Sequence, residues 1–213
     1  MKLGAILGAG FVGLTLVAAP AQAAVNLVTN GGFELGADPG VFTTYGAGSG
    51  ALPGWTIDAG SVDHIGTYWQ PSEGARSLDM AGLSAATISQ TVGGLTPGQR
   101  YVFSFDIAGN PDGSPVVKTL EASIGGSTSI HTFDVTGHSR AAMGWESHSL
   151  SFLATGTSVA LSFAAKGDPT SPYGPALDNV SLSAAVPEPG TWAMLLVGFA
   201  GLSLATRRRV RRA

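Results

Sequence analysis

The chain has 213 residues, 44% of them hydrophobic and only 12% charged, with no cysteine and a formal net charge of −3. Apolar residues are too frequent for a disordered chain. The lack of cysteine excludes a disulfide-stapled scaffold, so any fold must stand on its core alone.

Met1-Lys2, an apolar run from Leu3 to Ala19, and Pro20-Ala21-Gln22-Ala23 open the chain. A positive start, an apolar stretch and a small-x-small ending make a signal peptide over residues 1–23, cut after Ala23. A buried N-terminal helix is the alternative, and the Gly-rich run disfavours it. The next 160 or so residues are enough to bury a core. Period-2 alternation predicts short strands over 26–29, 54–57, 62–65, 77–80, 86–92, 101–107, 120–124, 130–135, 147–152, 158–163 and 176–182. Turn residues separate them, among them Gly93-Gly94, Thr96-Pro97-Gly98, Asn110-Pro111-Asp112-Gly113, Gly125-Gly126 and Gly167-Asp168-Pro169. No window sustains a helical period, and there is no internal repeat. The expectation for residues 24–186 is one all-β domain, an antiparallel two-sheet β-sandwich of jelly-roll type.

Val186-Pro187-Glu188-Pro189-Gly190-Thr191 ends the domain. An apolar run from Trp192 to Ala205 follows, then Arg207, Arg208, Arg209, Arg211 and Arg212. As a helix that run spans about 21 Å, short of a ~30 Å hydrocarbon core, and snorkelling arginines could extend it. The arginines would stay on the cytoplasmic side with the domain facing outward. Residues 24–186 alone hold five basic and thirteen acidic side chains, a net charge of −8. That surface argues against nucleic acid or an anionic membrane as partner.

The C-terminal order of Pro187-Glu188-Pro189, short apolar helix and basic tail resembles the PEP-CTERM sorting signal over residues 187–213. The resemblance implies a single transmembrane sorting helix and recognition by an exosortase. It further implies cleavage near Pro187, Glu188 and Pro189, and a Gram-negative producer of exopolysaccharide. The precursor would be anchored in the membrane and then released or transferred to the cell surface or extracellular matrix. An ordinary uncut anchor is the alternative.

A second resemblance runs through the domain. Asn26-Leu27-Val28-Thr29-Asn30-Gly31-Gly32-Phe33-Glu34 begins it, and Gly54-Trp55, Val62-Asp63-His64-Ile65, Tyr68-Trp69-Gln70 and Ser77-Leu78-Asp79 continue it. Gly98-Gln99-Arg100-Tyr101 and Leu177-Asp178-Asn179-Val180 complete it. The order is similar to the choice-of-anchor C group, related to a family of plant cell walls. It implies a galactose-binding-like sandwich associated with polysaccharide. Many relatives carry Glu where this chain has Asp63, which is one methylene shorter.

The resemblance also implies a structural calcium ion near the first and last strands. Glu34, Asp178 and the turn at Asn30 match those positions, and calcium seeks 6–8 hard oxygens. For sugar, aromatic rings stack on C–H faces while polar groups meet hydroxyls. Trp69, Tyr68, His64, Asp63 and Glu73 are the candidates, with Trp55 favoured as core and Trp69 open between core and ligand. No catalytic set is expected. The histidines lack metal-ligand spacing, and Asp63 with Glu73 is one chance carboxylate pair among thirteen acids. The expected function is non-enzymatic association with polysaccharide. A purely structural matrix component and a glycan-active hydrolase are the alternatives.

Overall fold

Tyr101, Phe103 and Phe105 are buried while Val102 and Ser104 between them are half-buried, and the same alternation recurs in Leu161 and Phe163. Side chains of a strand point to opposite faces in turn, so each such segment must lay one face on a core. The structure, a computed structural model, describes residues 25–185. The expected signal peptide, Pro187-Glu188-Pro189 and the apolar C-terminal segment lie outside the described residues.

Eleven strands are present among the described residues: β1 (Phe42–Gly46), β2 (Thr56–Ala59), β3 (Ser61–Ile65), β4 (Ser77–Asp79), β5 (Thr87–Gly93), β6 (Arg100–Gly109), β7 (Val117–Ile124), β8 (Ser127–Asp134), β9 (Glu146–Leu153), β10 (Ser158–Lys166) and β11 (Pro175–Ala184). They form two antiparallel sheets, in the orders β1-β3-β4-β11-β6-β9 and β2-β5-β10-β7-β8. The two sheets face each other as a jelly-roll sandwich. Phe103 and Phe105 of the larger sheet meet Phe163 of the smaller one, with ring centroids 5.5 and 5.0 Å apart. Trp55 extends this aromatic core, 6.2 Å from Phe163 and 5.5 Å from Phe33.

Two local readings differ from the structure. Residues 26–29 are not a strand. The Asn26 side chain accepts from the N–H groups of Val28 and Leu182 and donates to the Val180 carbonyl, so a side chain takes ladder positions that a backbone would fill. The edge strand β1 carries no alternation strong enough to announce it, because its residues are half-buried or exposed throughout. The Gly125-Gly126 turn was legible. Both residues have positive φ, 56° and 85°, and they join β7 to β8 as a two-residue hairpin.

Register then arranges the outer face of the six-stranded sheet. Thr44 lies opposite Asp63, Asp63 opposite Asp79, Asp79 opposite Ala176, and Ala176 opposite Ala108. The adjacent row runs Phe42, Ile65, Ser77 and continues through Asp178, Asp106 and Ser147. His64, Leu78, Leu177 and Ile107 alternate with these rows and face inward, toward the sandwich core. The loop from residue 66 to 76 folds back over this acidic outer face.

Candidate functional site

The β1-β3-β4 end of that face is the floor of a pocket of about 210 Å³. Thr44, Asp63, Ile65 and Asp79 rise from the strands, and Phe42, Tyr68, Trp69, Leu83 and Tyr173 wall it. Phe42 and Tyr68 meet edge to face, with centroids 5.3 Å apart. Trp69 belongs to both worlds. Only 4% of it is exposed and its indole N–H donates to Ser77 Oγ at 2.8 Å, yet it lines the pocket wall.

The two floor carboxyls differ. Asp63 Oδ1 accepts from the Thr44 hydroxyl at 2.5 Å, and burial raises its pKa against that bond. Asp79 is fully buried and accepts from the N–H groups of Ala81 and Gly174 and from Asn110 Nδ2. Burial outweighs those donors and pushes its pKa up to about 8, so most Asp79 is protonated at neutral pH. Behind it, Lys118 Nζ donates to the carbonyls of Gly113 at 2.7 Å and Tyr173 at 2.8 Å. That fixes the Tyr173 wall, and burial lowers the lysine pKa. At the opposite rim the Arg140 guanidinium lies 3.9 Å from the Tyr68 ring centroid. It donates to Asp112 and to the Tyr68 hydroxyl, which itself donates to Asp112.

The second acidic row fastens the loop. Asp178 Oδ2 accepts from the N–H groups of Ser72 and Glu73, and its Oδ1 from Asn179. Asp106 accepts from the hydroxyls of Ser72 and Ser147 and from Asn179 Nδ2. Glu34 Oε1 grips the other end of the loop, accepting from the N–H groups of Ala75 and Arg76. Asn30 donates to the Pro53 carbonyl and accepts from the Leu35 N–H. Calcium requires oxygens converging on one point. Glu34 Oε1, both Asp178 oxygens and Asn30 Oδ1 instead accept from backbone N–H groups, and among the described residues no group of three or more His, Cys, Asp or Glu is arranged to hold a metal. The donor set does not fit calcium as arranged.

Residues 26–183 match the family described as "Protein of unknown function (DUF642)". The chain belongs to the DUF642 family. Residues 185–209 match the PEP-CTERM protein-sorting motif. The chain is similar to part of Halomucin from Haloquadratum walsbyi (strain DSM 16790 / HBSQ001), 29% identical over 181 residues, with 83% of this chain covered. The chain spans only 2% of that relative's length. Among solved structures it is similar to TmCBM61 in complex with β-1,4-galactotriose, at 16% identity and a TM-score of 0.46, covering 76% of this chain and all of that one. It is also similar to Family 16 Carbohydrate Binding Module-2, at 17% identity and a TM-score of 0.48, covering 74% and 99%. A third is the arabinose-bound MgGH51 α-L-arabinofuranosidase, at 15% identity and a TM-score of 0.46, covering 75% and 26%.

Of the five residues expected at a sugar site, the DUF642 domain brings Asp63, Tyr68 and Trp69 to one pocket. His64 is not there. It is buried on the core face, and its Nε2 meets the Phe33 carbonyl at 2.8 Å. Neighbours in a strand face opposite ways, so Asp63 and His64 cannot share a surface. Glu73 sits in the fastened loop rather than the pocket lining, so Asp63 is matched across the ladder by Asp79 and not by Glu73. Sequence reasoning missed Phe42, Asp79, Asn110 and Tyr173 as pocket residues. The signal for Asp79 was its alternation with Ser77, which places it on one face of β4.

Proposed function

We propose that this chain is an exported, non-enzymatic surface protein that holds polysaccharide in the pocket at the β1-β3-β4 end. The observation that carries the reading is the pocket's lining: aromatic walls from Phe42, Tyr68 and Tyr173 over a floor where Asp63 keeps lone pairs for a hydroxyl. Sugars pair apolar C–H faces with hydroxyls, and this wall and floor match both.

The sorting motif over residues 185–209 supports export and display. In this reading an exosortase acts near Pro187-Glu188-Pro189. The C-terminal segment anchors the precursor in the membrane, and the domain ends at the surface or in the matrix of a Gram-negative cell. The non-enzymatic part rests on Asp79. It is the acid opposite Asp63, but it is fully buried and held by the N–H groups of Ala81 and Gly174 and by Asn110, out of reach of a glycosidic oxygen.

The test is binding of the full-length chain, in detergent, to purified exopolysaccharide and to a panel of neutral polysaccharides. Tyr68→Ala and Asp63→Asn are each expected to weaken binding about tenfold, the worth of one ring contact or one charge-assisted hydrogen bond. Chromogenic glycosides are expected to stay uncut. Binding by neither wild type nor variants would leave the purely structural matrix role in its place.

A further inference from the structure

We infer that the pocket accepts a single non-anionic sugar ring, at a chain end or a branch, and turns away uronate and sulfated rings. This rests on the sugar reading above and names its ligand class.

Size sets the first limit. The pocket is about 210 Å³, below the ~300–1,000 Å³ typical of sites for drug-sized ligands. It has room for one ring and not for a run of several.

Charge sets the second. Asp63 faces the pocket, and no Lys, Arg or His is among the lining residues. Two cations flank the pocket without lining it, Lys118 behind the Tyr173 wall and Arg140 at the rim, the latter ion-paired with Asp112. Both hydrogen bonds of Lys118 Nζ end on the Gly113 and Tyr173 carbonyls, and Arg140 is bound to Asp112 and the Tyr68 hydroxyl. The domain around them is acidic, with a formal count of five basic and thirteen acidic side chains. Asp63 offers lone pairs, so it rewards a ligand that brings O–H donors. A carboxylate or sulfate on the ring brings no donor and adds like charge at close range in a partly desolvated site. Thr44 cannot reverse this, because its hydroxyl already donates to Asp63. The exposed rim residue Leu83, 75% accessible, offers the incoming group no cation either.

The experiment titrates the full-length chain in detergent with three matched pairs of methyl glycosides: glucoside and glucuronide, galactoside and galacturonide, mannoside and mannuronide. Linear neutral polysaccharides are run in parallel, with isothermal calorimetry as the readout. In every pair that binds, the neutral member is expected to bind at least tenfold more tightly. Leu83→Lys, a substitution at an exposed position, is expected to shrink that ratio at least tenfold while leaving the melting temperature unchanged. Equal or tighter uronide binding overturns the charge selection and leaves the sugar reading standing. Binding to linear polysaccharide without binding to any glycoside overturns the single-ring claim. Silence toward every glycoside and every polysaccharide overturns the sugar reading itself.

Discussion

The outer face of the six-stranded sheet carries two sets of acids in adjacent rows, Asp63 with Asp79 and Asp178 with Asp106. The Asp178 row lies under the loop from residue 66 to 76, and its oxygens are matched by N–H and O–H donors from Ser72, Glu73, Ser147 and Asn179. The Asp63 row opens into a pocket, and only Asp79 within it is similarly engaged. Residue type is the same in the two rows, and Asp79, Asp106 and Asp178 are all buried while Asp63 is half-buried. What separates scaffold from site is the supply of donors: an acid whose lone pairs are spoken for builds structure, and one with lone pairs to spare can receive a ligand.

The sharpest way to break this contrast is Asp178→Ala. It strands the N–H groups of Ser72, Glu73 and Asn179, and the expected loss of stability is about 3 kcal/mol, or roughly 10 °C in melting temperature. Asp63→Ala should move the melting point far less while damaging sugar binding more. If the two variants melted alike, the division of labour would be wrong.

Next in size is the effect of pH. Asp79 is raised to about 8 and Asp178 to about 7, both by burial first of all, against an unfolded value near ~3.9. Between those values the folded chain holds more protons than the unfolded chain, so stability falls as pH rises through the folded pKa values. His64 and His131 are lowered by burial and act in the opposite sense below histidine's ordinary 6.5. The window in which the two acids titrate and the histidines do not is therefore pH 7 to 8.5, with Lys118, lowered by burial, acting in the opposite sense on the alkaline side. The melting temperature is expected to be higher at pH 7, and a flat or rising curve across that window would refute the buried-acid account.

The smallest expected effect is the one produced by calcium. With Glu34, Asp178 and Asn30 occupied by N–H groups, thermal melts in calcium and in chelator should coincide. A shift of several degrees would show that these oxygens turn toward an ion after all.

The sandwich was legible because alternation is local: Tyr101, Phe103 and Phe105 declare an inner face without help from the rest of the chain. The pocket was only half legible. Asp63, Tyr68 and Trp69 stood out, but the pairing of Asp63 with Asp79 depends on the register of β3 against β4, set by an eleven-residue loop from 66 to 76 that no local pattern encodes. His64 could have been excluded from sequence alone, since it sits between two residues that share the opposite face. Glu34 and Asp178 were recognised as belonging together, though not as the two grips on one loop. Their partners are backbone N–H groups, which leave no mark in the side-chain sequence.

Those two grips come from opposite ends of the domain, Glu34 ahead of the first strand and Asp178 within the last. β11 is also the interior strand between β4 and β6. A chain crossing a membrane N-terminus first therefore has no finished recognition surface while its final strand is still inside the cell. On the reading proposed above, the domain becomes competent to hold glycan only once translocation of that strand is complete.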